Sequence, residues 1–301
     1  MNFLHWLENI RVPILNEIML GVTHLGSEVA FLVIALIVFW CIDKYKGYYI
    51  LSVGFLGTIT NQFMKLWFRI PRPWVLDSTL NPMEQALEDA TGFSFPSGHT
   101  QTAVGVFGGL AYTLKNKFVR IVCFLLAVLV PFSRMYVGVH TPKDVGVAVL
   151  IAIALIFLVR PFVLGKNGKR FPFLIAVMSL LAIAYLCFVE LYPFPAEVDM
   201  ERLESGRTSA YTLLGCLVGL LFVYIADEKW IRFPVKGAWW AQIIKVVVGL
   251  LLVLAIKSGL KAPLNALFDE YIGRAVRYFL MVIMAGMVWP LSFRLFAKSK
   301  R

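Results

Sequence analysis

The chain has 301 residues, of which 59% are apolar and only 16% charged, with a formal net charge of +11 and a mean hydropathy of +0.77. A soluble domain carries roughly a quarter charged residues, so a soluble fold is excluded. The basic residues flank apolar runs, as topology signals do, which also excludes reading the positive charge as a nucleic-acid surface.

The composition and the runs predict an all-α fold: a polytopic integral membrane helix bundle of about nine transmembrane helices, each near the roughly 20 residues that cross a bilayer. Residues 1–26 are expected to form an interfacial amphipathic segment. Phe3, Trp6, Leu7, Ile10 and Ile14 recur there at helical spacing on one side. The opening stretch MNFLHWLENIR lacks a basic n-region and a small-residue cleavage site, so no removable signal peptide is expected. Spans are predicted at 27–42, 47–66, 97–115, 118–133, 143–160, 171–192, 210–226, 240–258 and 273–296. Residues 27–165 hold three polar motifs and form the expected core. Residues 166–301 supply additional transmembrane helices that complete or flank it. Cys41, Cys123, Cys187 and Cys216 all lie in apolar runs without metal or redox spacing, and are expected to be buried free thiols.

Nine spans put the termini on opposite sides. The C-terminal side would carry sixteen Lys and Arg, among them Lys166, Lys298, Lys300 and Arg301, against three acidic residues. The other side would carry twelve basic and fifteen acidic residues. Lys/Arg excess marks the cytoplasmic face, so the C-terminus is expected inside and the N-terminus outside. The same orientation puts all three motifs on the extracytoplasmic face.

The first motif, KLWFRIPRP, spaces Lys65 and Arg72 seven residues apart, and Pro71 and Pro73 end the span there. Lysine offers a point charge and arginine a planar fork for two phosphate oxygens. The second, FPSGH, sets Ser97-Gly98-His99 at the start of an apolar helix. Free N–H groups and the helix dipole there favour an anion, and Gly98 lets it approach the backbone. The third, SRMYVGVHTPKD, brings Arg134 to the end of one span and places His140 four residues before Asp144, on one helical face. A carboxylate on one ring nitrogen sets the tautomer that leaves the other free to attack.

Taken together, the motifs fill the pattern K-x6-R-P, P-S-G-H and S-R-x5-H-x3-D, with Lys65, Arg72, Pro73; Pro96, Ser97, Gly98, His99; and Ser133, Arg134, His140, Asp144 at its fixed positions. This resembles the type 2 phosphatidic acid phosphatase family, which shares its fold with vanadium haloperoxidases. The resemblance covers roughly residues 45–160. It implies that His140 is a nucleophile forming a phosphohistidine and that Asp144 orients it. It makes His99 the general acid that protonates the leaving oxygen. Lys65, Arg72 and Arg134, with Ser97 and Gly98, bind the phosphoryl oxygens. It also implies no cofactor and no metal, since three fixed cations can neutralise the charge of phosphoryl transfer.

The expected activity is therefore that of a metal-independent hydrolase of phosphoric monoesters or diphosphates acting on a lipid phosphate, of the polyprenyl diphosphate or phosphatidate type. The expected partners are membrane lipids and the phosphate-ester substrate, with no nucleic acid, and nothing in the sequence specifies an oligomeric state. A multi-pass protein of a bacterial plasma membrane is the expected localisation. The nine-span layout, and WVLD after Pro73, also resemble glucose-6-phosphatase, which keeps a sugar phosphatase or phosphotransferase as the alternative. A lipid transporter would carry mid-membrane charges or helix breaks, whereas the motif charges lie at span ends. Beyond the motifs, Lys257 and Lys261 lie four apart at the outer end of a span and are candidates for a secondary anion site.

Overall fold

The computed structural model describes residues 1–165 and 168–296. Lys166, Lys298, Lys300 and Arg301 of the charge count lie outside the described residues. Among the described residues every regular element is a helix. Two short helices come first, α1 (Asn2–Asn9) and α2 (Pro13–His24). They are followed by α3 (Glu28–Ile42) and α4 (Lys44–Phe68). A long loop then leads to α5 (Gly98–Ala103), which continues through a wide turn at Val104–Gly108 into Gly109–Thr113. Next come α6 (Lys117–Tyr136), α7 (Pro142–Val163) and α8 (Phe171–Leu191). The last four are α9 (Met200–Ile231), α10 (Trp239–Gly259), the short α11 (Lys261–Leu267) and α12 (Glu270–Leu295).

Every predicted span falls on a helix, yet only six helices, α6 to α10 and α12, are long and apolar enough to cross a membrane, or seven if α2 and α3, bent by 60°, form one span. The difference from nine has a physical cause. α4 carries lysines and many polar residues, and α5 is broken into short pieces by its wide turn. These elements hold much of the polar site.

Two compact units form. The first comprises Met1–Leu32, Ile50–Arg160 and Phe194–Gly206. In it α1 and α2 pack on the end of α6, and Leu4, Leu7, Met19 and Leu20 form a buried cluster with Leu80, Tyr136, Val137 and Val139. Leu7 therefore leaves the outer face expected for it, while Phe3, Trp6, Ile10 and Ile14 stay exposed there. Polar bonds reinforce the packing: Arg11 donates to the Tyr136 carbonyl at 2.9 Å, and the Tyr136 hydroxyl donates to Asn16 at 2.7 Å. Local chemistry sets the helix starts. Pro13 occupies the first turn of α2, where its missing N–H costs nothing. Asn116 caps α6 by accepting from the Val119 N–H at 3.1 Å.

The second unit comprises Val33–Tyr49, Pro161–Pro193 and Arg207–Arg301. Its core is aromatic, with Phe39, Tyr48, Phe171, Tyr224 and Phe233 in edge or tilted contacts. The Lys44 ammonium meets the buried Asp227 at 2.7 Å. Gly215 and Gly219 of α9 let the helix backbone approach Ala275 and Phe279 of α12 closely, as small residues do between membrane helices. All four cysteines are free, but Cys187 is exposed on α8 and only Cys123 and Cys216 are buried, with Cys41 half-buried. An outward face of a span contacts lipid, so an apolar thiol there needs no protein burial.

Candidate active site

The three motifs meet within the first unit. α4 ends where Arg69 takes a left-handed backbone (φ 49°) just before Pro71 and Pro73, and this delivers Arg72 into a loop. The loop before α5 bonds to that segment through the Ser94 N–H and the Ile70 carbonyl at 2.9 Å. Ser97 caps α5, accepting from the Thr100 N–H at 3.4 Å, and its own N–H donates to the Asp144 carbonyl at 3.1 Å. The second and third motifs are thus joined main chain to main chain.

α7 starts with a reciprocal cap. The Thr141 hydroxyl accepts from the Asp144 N–H at 3.3 Å, and the Asp144 carboxylate accepts from the Thr141 N–H at 2.8 Å. This is a capping box with aspartate as the returning acid. It fixes the carboxylate that faces His140, whose Nδ1 lies 3.5 Å from Asp144 Oδ2. Ser94 Oγ donates to the same oxygen at 2.7 Å and stands 3.5 Å from Nδ1. On the other side of the ring, Nε2 lies 3.0 Å from Arg72 Nη1. A guanidinium can only donate, so Nε2 must be the acceptor and Nδ1 carries the proton. That is the tautomer a nucleophilic Nε2 requires. Burial, then the charges of Arg72, Arg134 and Lys65, push the His140 imidazole well below its ordinary pKa, so it is neutral.

The cations are held differently from one another. Arg72 is buried and donates to three backbone carbonyls, Gly92 at 3.2 Å, Val139 at 3.1 Å and Thr91 at 2.8 Å. Burial, then Arg134, lowers its pKa to about 9. Lys65 is buried and donates to the Phe93 carbonyl. Arg134, fully buried, donates through Nη1 to Thr23 Oγ1 at 2.9 Å, while its Nε and Nη2 have no hydrogen-bond partner among the described residues. Each unmet buried donor costs about 1–3 kcal/mol, a cost that an anion bound there would remove. His99 Nε2 is likewise buried without a hydrogen bond. Gly98 has no heavy atom nearer than 3.8 Å to a Cβ placed on it, so its backbone face is open. The arrangement can hold a tetrahedral anion and present an imidazole lone pair to it. Among the described residues no three His, Cys, Asp or Glu side chains are grouped as metal ligands would be.

Lys65, Arg72, Ser97, Gly98, His99, Arg134, His140 and Asp144 all belong to this one unit. Lys257 and Lys261 do not. Both are exposed, and Leu260 separates α10 from α11, so they stand on successive helices instead of sharing one continuous helical face. Acidic residues of the 190–204 segment pair within it or with α9: Asp199 meets Arg202 at 3.0 Å and Glu190 meets Arg207 at 3.1 Å. Sequence reasoning missed Ser94, Thr23, Asp89 and Arg202. Arg202 lies over the Phe93 ring at 5.4 Å, next to the carbonyl that accepts a hydrogen bond from Lys65. Only Ser94 offered a signal, since it directly precedes the Phe95–His99 stretch of the second motif.

Comparison with known proteins agrees with this geometry. Residues 45–167 match the PAP2 superfamily, and residues 211–301 match the PAP2 superfamily phosphatase, transmembrane extension. Phosphatidylglycerophosphatase B of Bacillus subtilis is 34% identical over 175 residues, which cover 54% of this chain and 81% of that protein. Undecaprenyl-diphosphatase BcrC of the same organism is 31% identical over 117 residues, 36% of this chain and 58% of that protein. Mouse sphingosine-1-phosphate phosphatase 1 is 24% identical over 272 residues, 83% of this chain and 60% of that protein. No solved structure matches. With its motifs assembled in one unit and both regions matched, the chain belongs to the PAP2 superfamily, as a multi-pass membrane phosphatase.

Proposed function

We propose that this protein hydrolyses a lipid phosphate or diphosphate through a phosphohistidine on His140, at a site facing away from the cytoplasm. The observation that carries the reading is the 3.0 Å contact from Arg72 Nη1 to His140 Nε2, which leaves Nε2 with a lone pair directed at the cation cluster. In the first step Nε2 attacks phosphorus and the bond to the leaving oxygen breaks. His99 gives that oxygen its proton, and the lipid alcohol or lipid phosphate departs. In the second step water attacks the phosphohistidine, His99 takes the water proton, and inorganic phosphate leaves. Lys65, Arg72 and Arg134 neutralise the oxygens in both steps, so positioning and electrostatics supply the catalysis. The Ser97 cap and the open Gly98 backbone offer further donors.

A lipid substrate is favoured because the three relatives named above are all named for lipid phosphates or diphosphates, and because the site is built at helix ends, where a headgroup can reach it with its tail still in the bilayer. The region 27–165 is then the phosphatase core, 1–26 an amphipathic segment and 166–301 the additional helices, in a bacterial plasma membrane with the C-terminus inside. The test is chemical. Purified protein quenched during turnover of radiolabelled phosphatidate should carry acid-labile, base-stable label, and His140→Ala should carry none. Label retained by that variant overturns the reading.

A further inference from the structure

The general acid of the proposed reaction has a neighbour outside the three motifs. Asp89 Oδ2 lies 3.9 Å from His99 Nε2 and 3.3 Å from His24 Nδ1, so one carboxylate oxygen stands between two imidazoles. The first distance is too long for a hydrogen bond but close enough for a charge pair. The other charged groups bearing on His99 are Arg134 of α6 and Lys65 of α4, both positive. Burial disfavours an imidazolium at position 99, and its two cationic neighbours add to this, so the charged ring needs a nearby negative charge. The Asp89 carboxyl is held ionised, its contact with His99 keeping its pKa down at about 2.

The backbone behind His99 is also built for this. A Cβ on Gly26, just after α2, would lie 2.8 Å from the His99 carbonyl oxygen and 3.1 Å from the His99 Cβ, so the chain there lies directly against His99. α2 also sends Thr23 to Arg134 and His24 to Asp89. Residues before 45, outside the matched family region, thus touch both a phosphate cation and the partner of the general acid.

We propose that Asp89 is a positioning residue for His99: its carboxylate stabilises the protonated imidazole that delivers Nε2–H to the leaving oxygen, and His24 on α2 holds that carboxylate in place. This rests on the mechanism proposed above. In the first step the P–O bonding pair goes to the leaving oxygen and the His99 proton follows it. Asp89 keeps its own charge and transfers no proton. In the first step, losing the carboxylate should therefore harm only those esters whose leaving group needs a proton; in the second step, where His99 takes the water proton, it should slow turnover of both alike.

That selectivity gives the test. Asp89→Asn, Asp89→Glu and wild type would be compared on dioctanoyl phosphatidate, an alkyl ester, and on p-nitrophenyl phosphate, whose leaving group departs unaided. Asp89→Asn should lose about tenfold or more in kcat/KM on the alkyl ester, which reports only the steps through departure of the leaving group, part of the 10²–10⁴ that a general acid contributes. On the aryl ester kcat/KM should fall less than about twofold, since that leaving group needs no general acid. The basic limb of its alkyl-ester pH profile should move to lower pH, and Asp89→Glu should recover most of the rate. Equal losses on both esters would make Asp89 merely structural and overturn the proposal, as would no loss on either. If wild type forms no phosphohistidine, the parent mechanism falls and the proposal with it. If wild type forms one and Asp89→Asn shows no selectivity between the esters, the Asp89 assignment falls alone.

Discussion

Ser94 donates its hydroxyl proton to Asp144 Oδ2 at 2.7 Å, closer than the 3.5 Å between that oxygen and His140 Nδ1. The carboxylate that faces the proposed nucleophile, His140, is itself held by a serine from outside the three motifs. Ser94→Ala should therefore leave binding intact and lower kcat. A hydrogen bond to a charged group is worth about 1.5–3 kcal/mol, which sets a loss of about tenfold to a hundredfold. Steady-state kinetics on a short-chain phosphatidate check it, and an unchanged kcat would show that Asp144 holds its place through Thr141 alone.

Arg134 offers the clearest contrast between charge and shape. Its Nε and Nη2 are buried without hydrogen-bond partners among the described residues, while Nη1 is tied to Thr23. Arg134→Lys keeps the charge but loses the planar fork. A loss of about 10²–10³ in kcat/KM is expected, the usual cost of removing a transition-state donor. Activity within twofold of wild type would mean that the guanidinium serves packing only.

The pH dependence follows from the direction of the His140 shift. Burial and neighbouring cations hold its pKa well below the ordinary value, so the ring stays neutral and nucleophilic as pH falls through 6.5. The acid limb of kcat/KM, which reports the free enzyme, should have its midpoint below 6.5. The same shift makes the unfolded chain bind more protons than the folded one in that window, so stability should fall as pH drops below 6.5. An acid limb centred at or above 6.5 would contradict a buried neutral His140.

Activity should persist in excess chelator, because Lys65, Arg72 and Arg134 already surround the anion site with positive charge. Vanadate should inhibit by adopting the five-coordinate geometry of the transition state. Activity lost in chelator and restored by Mg²⁺ would require a different mechanism.

Orientation can be read by labelling. In a background with all four cysteines replaced by alanine, Ser78→Cys in the loop after α4 should react with an impermeant maleimide on intact cells. Lys115→Cys, between α5 and α6, should not. The reverse pattern would invert the topology inferred from the charge distribution.

The site was legible in the sequence to the extent that its residues share spacing. Lys65 with Arg72, and His140 with Asp144, are separated by short intervals that a helix or a helix end must bring together. Asp89 and Thr23 were not legible. Asp89 lies in a loop ten residues before His99 and Thr23 at a helix end 111 residues from Arg134, with no regular spacing to either partner, and only tertiary packing brings Asp89 to His99 or Thr23 to Arg134. The helices themselves were legible because apolar runs have few alternatives in lipid. The span count was less so. α4 trades apolarity for the polar residues that precede Lys65, and the wide turn in α5 cannot be read from hydropathy. Leu7 shows a similar limit: helical spacing placed it with Trp6 and Ile10, but burial against Tyr136 and Leu80 decided its side.

The main-chain bond from the Ser97 N–H to the Asp144 carbonyl makes the register between the His99 and His140 segments invisible to side-chain replacement. An alanine scan of this protein would report the chemistry of the site while leaving untouched the seam that registers its two halves. Only a change that deletes the amide hydrogen itself, such as proline at position 97, opens that seam. The register of the two segments should accordingly survive side-chain changes around it so long as these backbone segments stay in step.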